Sequence, residues 1–85
     1  MFIISNGDAL LKIVSNLKEF PQRERGYVVQ LINQKEWGRA FERICQVIRR
    51  ERVHIPWETY EQIITIGTHM ELDPYEWEET LLYVN

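Results

Sequence analysis

From Asp8 to Tyr83 the apolar residues of this chain recur every three or four positions, and no stretch of strand length alternates strictly between apolar and polar. That period belongs to amphipathic helices, so it predicts an all-α fold: a single compact bundle of four to five helices with short connections, one helical domain over residues 1–85. Leu10, Ile13, Val14 and Leu17 make the first stripe, with Ser5, Asn6 or Asp8 as N-cap. Phe20-Pro21 stops that helix, because proline disfavours helical backbone in the residue before it, and the expected span is about 7–19. Pro21 suits the first turn of a second helix, weakened by Gly26, with Tyr27, Val28, Leu31 and Ile32 inward.

After the polar break Asn33-Gln34-Lys35, the residues Trp37, Ala40, Phe41, Ile44, Val47 and Ile48 give a third helix the most continuous apolar face in the chain. A fourth, opening at Pro56 or Trp57, is expected to turn Trp57, Tyr60, Ile63, Ile64, Gly67 and Met70 inward, with Glu58, Glu61, Gln62, Thr65 and His69 on its other side. Gly67 leaves room for another helix to approach. Asp73-Pro74-Tyr75-Glu76 reads as N-cap, first-turn proline and capping-box glutamate, opening a short last helix that runs to about Tyr83.

Length and composition add limits rather than structure. Eighty-five residues support one core, and three Trp, four Tyr and three Phe supply bulky material for it. The single cysteine, Cys45, excludes an internal disulfide, and MFII at residues 1–4 is too short and lacks the basic flank of a signal peptide. A cytoplasmic location is the expectation. Charges interrupt every apolar run well before the roughly 20 residues that a membrane-spanning helix needs.

Charge changes the picture more. All ten basic residues fall in residues 1–53 against six acidic ones, a formal +4, while residues 54–85 hold seven acidic residues and no basic one, a formal −7. The segment ELDPYEWEETLLYVN alone carries five carboxylates and three aromatic rings. Asp73 and Glu76 have a helix-start role, and a solvated face accounts for part of the rest. Uncompensated carboxylates beside aromatic rings also make a surface suited to a basic partner, and Tyr75, Trp77 and Tyr83 cannot all point inward from so short a helix. Glu58, Glu61, Tyr75, Glu76, Trp77, Glu78 and Glu79 are therefore the candidate partner-binding residues.

A basic strip on the third helix, Arg39, Arg43, Gln46, Arg49 and Arg50, offers a different reading, a helix-turn-helix-like regulator that grips nucleic acid. Glu36 and Glu42 stand three or four residues from its arginines, where local pairing would make it an ordinary solvated face. A generic protein-interaction adaptor is a third reading. Enzyme chemistry finds little support, since no nucleophile, base and orienting group converge by spacing. His54 and His69 stand fifteen residues apart without metal-ligand spacing to a cysteine or aspartate. Cys45 sits beside the inward stripe, and Gly7, Gly26, Gly38 and Gly67 are isolated rather than gathered in a phosphate loop. No catalytic residue, metal or cofactor is expected.

Leu31-Ile32, the run Glu36-Trp37-Gly38-Arg39-Ala40-Phe41-Glu42-Arg43-Ile44-Cys45, then His54-Ile55-Pro56, Tyr60, Ile63-Ile64 and Met70-Glu71-Leu72-Asp73-Pro74 resemble small helical immunity proteins of bacterial polymorphic toxin and contact-dependent growth inhibition systems, of the MafI or CdiI type. The likeness covers about residues 27–77 and is centred on Glu36-x-Gly38-x-Ala40-Phe41-Glu42. It implies a cytoplasmic protein that binds one cognate toxin C-terminal domain, often a nuclease, and blocks it without doing chemistry. The family pattern is one of packing, so it transfers no interface residue. A nuclease that holds a polyanion needs a basic cleft, which an acidic surface can occupy in place of phosphates; an RNase is the favoured target.

Overall fold

A computed structural model of the chain describes residues 5–85, so the run at residues 1–4 lies outside the described residues. Five helices follow one another: α1 Asn6–Asn16, α2 Gln22–Asn33, α3 Trp37–Glu51, α4 Trp57–His69 and α5 Tyr75–Glu78, the last continuing into a 3-10 helix, Glu79–Tyr83. The all-α expectation holds. The one extended pairing among the described residues is an isolated parallel bridge between Ile55 and Val84. In it the Ile55 amide donates to the Tyr83 carbonyl (2.9 Å) and the Asn85 amide donates to Ile55 (3.1 Å).

The core is built around α3, which buries Ala40, Phe41, Ile44, Cys45, Val47 and Ile48. It packs against α1, α2, α5 and the 3-10 helix, while α1 also lies against α2 and α4. Leu10, Ile13 and Val14 join this core from α1 and Leu17 from the turn after it, Val28, Leu31 and Ile32 from α2, and Ile63 and Ile66 from α4. Each such side chain contributes about 1.5 to 3 kcal/mol by leaving water, which is why the apolar period alone specifies the class.

Local chemistry sets the helix ends. Ser5 caps α1, its Oγ accepting from the Asp8 amide at 3.1 Å. At the other end α1 stops at Asn16 rather than near 19, because the turn brings both Leu17 and Phe20 into the core. Its loose carbonyls are met from α2: the Arg25 guanidinium donates to Val14 (2.8 Å) and to Leu17 (3.0 Å). Helices α2, α3 and α4 each close through a left-handed residue, Lys35 (φ 61°), Arg52 (φ 54°) and Glu71 (φ 58°). The amides just beyond, Glu36, Val53 and Leu72, donate to the carbonyls of Leu31, Ile48 and Gly67. That closure satisfies carbonyls the helix leaves free, and it usually employs glycine.

Two predicted faces differ at their edges: on α2 Val28, Leu31 and Ile32 are buried as expected and on α4 Tyr60, Ile63 and Gly67 are, but other residues expected with them are not. Tyr27, expected inside, is 39% exposed and lies under the Arg43 guanidinium, 5.2 Å from its ring centroid. On α4, Trp57 and Ile64 stand outside while Thr59 and Ile66 are buried with Tyr60, Ile63 and Gly67. Gly67 faces the α5 segment. There Trp77 fills the space a side chain would take, and a methyl group at Gly67 would lie 2.7 Å from Trp77 Cε3 and 3.1 Å from Phe41 Cζ. The close approach expected at Gly67 is thus made, by α5.

Candidate functional site

The last segment is placed by its buried residues. Trp77 inserts between Gly67 and Phe41, meeting the Phe41 ring edge-on at 5.9 Å between centroids, and Thr80 is buried behind it with its hydroxyl donating to the Trp77 carbonyl. Asp73 acts at the start of α5 as the sequence suggests, one carboxylate oxygen accepting the Tyr75 amide at 2.9 Å. The reciprocal half of a capping box, from Glu76 to the Asp73 amide, is not made. With Trp77 and Thr80 inward, Tyr75, Glu78 and Glu79 face solvent.

Between this segment and α3 lies an open concavity of about 400 Å³ lined by Glu42, Gln46, Arg49, Asp73, Tyr75, Glu76 and Glu79. Four carboxylates therefore share it with one guanidinium, and that guanidinium already donates to the Glu76 carbonyl at 3.1 Å. Tyr75 stands at its edge, 75% exposed. Of the candidate partner-binding residues, the fold brings Tyr75, Glu76 and Glu79 together here. Glu78 is exposed but outside the concavity, and Glu58 and Glu61 are exposed on α4. Trp77 is a correction: at 6% exposure it is a core residue and offers a partner no anchor, because the missing side chain at Gly67 lets its ring in.

Sequence reasoning missed Glu42, Gln46 and Arg49 as lining residues. Their spacing of four and then three residues marks one strip of α3, but the strip reads as part of the basic face until α5 is laid beside it. The basic face itself is spent largely inside the molecule. Arg43 grips Glu24 of α2 through both carboxylate oxygens (2.8 and 2.9 Å), and Arg50 reaches the same carboxylate at 2.7 Å and Glu51 at 3.0 Å. The expected local pairing with Glu36 and Glu42 is replaced by this contact across two helices, with Glu42 instead accepting from Gln46 at 3.2 Å. A carboxylate on the neighbouring helix at the height of two arginines gives both a partner at once.

The Arg43 and Arg50 hydrogen bonds hold the Glu24 carboxyl below its ordinary value of 4.5. A carboxylate whose folded-state pKa is depressed stabilises the fold fully above its ordinary pKa, and the contribution is lost as pH falls through the lower, folded-state value. Glu24→Gln is expected to lower stability at neutral pH and to flatten the acid side of the stability–pH curve. Urea midpoints at neutral and acid pH read this directly, and a variant with the wild-type profile would show that the two arginines do not draw on the Glu24 charge.

The residues with catalytic potential stay apart. The Cys45 thiol is buried, and burial pushes its pKa up to about 12, so it remains protonated and unreactive near neutrality. His54 is exposed beside Glu19, which accepts its backbone amide at 3.0 Å, with the ring Nδ1 3.5 Å from the same oxygen. His69 lies in the last turn of α4. Among the described residues no three His, Cys, Asp or Glu side chains gather as metal ligands, and no helix is long and apolar enough to cross a membrane.

No protein family, curated protein or solved structure matches this chain.

Proposed function

We propose that this chain is an immunity protein that acts in the cytoplasm by binding, without catalysis, and neutralises a cognate bacterial toxin domain, a nuclease and foremost an RNase. The observation that carries the reading is the concavity beside α3, which Glu42, Asp73, Glu76 and Glu79 share with a single arginine and with the exposed Tyr75. A cleft built to hold a polyanion presents cations spaced for phosphates, and a fixed group of carboxylates can occupy them in competition with substrate. Tyr75 adds a rigid amphipathic contact at low entropic cost, the kind of residue on which interface energy concentrates. Glu58, Glu61 and Glu78 extend the negative field around this centre.

The test is protection. The C-terminal domain of the protein encoded immediately upstream is expressed with and without this chain, and growth arrest relieved only by co-expression is the expected result; toxicity that the chain fails to relieve overturns the reading. Within such a pair, Glu76→Lys with Glu79→Lys is expected to slow association and weaken binding by about tenfold or more, because like charges then face each other. The wild-type complex should also associate more slowly as salt rises. Far-UV circular dichroism is expected to be unchanged, since neither carboxylate makes an ion pair in the fold. Unchanged affinity would place the contact elsewhere on the molecule.

A further inference from the structure

Glu42 and Gln46 line two depressions, one on each side of α3. Toward α5 lies the acidic concavity with Asp73, Tyr75, Glu76 and Glu79, and toward α2 lies a smaller hollow of about 140 Å³ with Tyr27, Leu31, Arg39 and Arg43. A further depression joins Arg23, Glu24, Tyr27 and Arg43 beyond the smaller one. The ridge formed by Glu42 and Gln46 thus divides one face into a negative flank and a positive flank. Arg43 is held by Glu24, but Arg23 and Arg39 are exposed and make no ion pair among the described residues, and neither do Asp73 and Glu79 opposite them. Each flank also presents a tyrosine, Tyr27 at 39% and Tyr75 at 75% exposure.

We infer that this face is a self-association surface whose occupant is a second copy of the same chain. A two-fold axis lying along the ridge carries the acidic flank of one copy onto the basic flank of the other, twice over, which is the requirement of an isologous contact. Charge complementarity selects this occupant: the face matches itself in sign on both sides at once, whereas a basic partner seated on the acidic concavity alone leaves Arg23 and Arg39 unmet. Two copies joined this way cover Tyr75 and Glu79, so self-association competes with any partner that uses the acidic concavity. The inference stands on the free chain and does not depend on the toxin reading.

Sedimentation velocity of the purified chain tests it without any partner. The wild type is expected to pass from monomer to dimer between micromolar and millimolar concentration at low salt, and to shift back toward monomer as salt rises. Arg39→Glu and Glu79→Arg, each at an exposed position, are each expected to raise the dimer dissociation constant by about tenfold or more, because each homodimer then faces like charges twice. Mixing the two variants restores both opposite-charge contacts, so the mixture is expected to form a heterodimer at wild-type concentrations. A wild type that stays monomeric overturns the inference. So does a dimer that neither reversal weakens, or a pair of weakened variants that mixing does not restore.

Discussion

Phe41→Ala is expected to cost about 3 to 5 kcal/mol of folding stability, the range for emptying a large buried aromatic site. The side chain is 1% exposed on the central helix and touches the elements on two sides, meeting Trp77 edge-on and facing Gly67 of α4. A domain of this size commonly holds about 5 to 15 kcal/mol in all, so the variant should lie near the edge of its folding transition at room temperature. Urea denaturation followed by tryptophan fluorescence measures the loss. A loss under about 1 kcal/mol would contradict the packing, since a site this enclosed cannot collapse around so large a void.

Trp77→Ala carries a comparable penalty, about 3 to 5 kcal/mol, but its distribution should differ. Trp77 is the main large apolar anchor of α5, so its removal is expected to release the segment from Tyr75 onward before α3 is affected. Hydrogen exchange resolves this: amides of the 3-10 helix should lose protection while those of Ile44 to Ile48 keep theirs. Gly67→Ala approaches the same contact from the other side. A methyl group 2.7 Å from Trp77 Cε3 must push the indole out, at a cost of about 1 to 3 kcal/mol. Equal loss of protection throughout α3 and the 3-10 helix would mean that the terminal segment is not an independent lid on the core.

Helices α1 to α4 were legible because each has an apolar stripe at helical spacing, and the stripes expected on α1 and α3 are buried throughout except for Trp37, which is partly buried. Their ends were less so. Lys35, Arg52 and Glu71 adopt the left-handed conformation where a glycine would have announced the closure, and nothing in their side chains marks the position. The altered edge of the α4 face has a similar origin. Trp57 and Ile64 are as apolar as Tyr60 and Ile63, and only the neighbours decide which pair is covered. At the candidate site the sequence showed the acidic bias but not its shape. The concavity needs Glu42 and Arg49 from α3 beside Glu76 and Glu79, far apart in sequence, and the pairing of Arg43 and Arg50 with Glu24 spans 19 and 26 positions. Local spacing rules see three or four residues, so they offer Glu36 and Glu42 to Arg39 and do not reach from Arg43 or Arg50 to Glu24.

Within the α5 segment, the residues that anchor it and the residues that face outward are different ones: Trp77 and Thr80 are buried, while Tyr75, Glu78 and Glu79 are exposed. Substitutions at the outward positions therefore leave untouched the buried contacts that keep the segment folded. The outer face of this segment can accordingly be recharged or reshaped at little cost to the fold, which uncouples its surface chemistry from its stability.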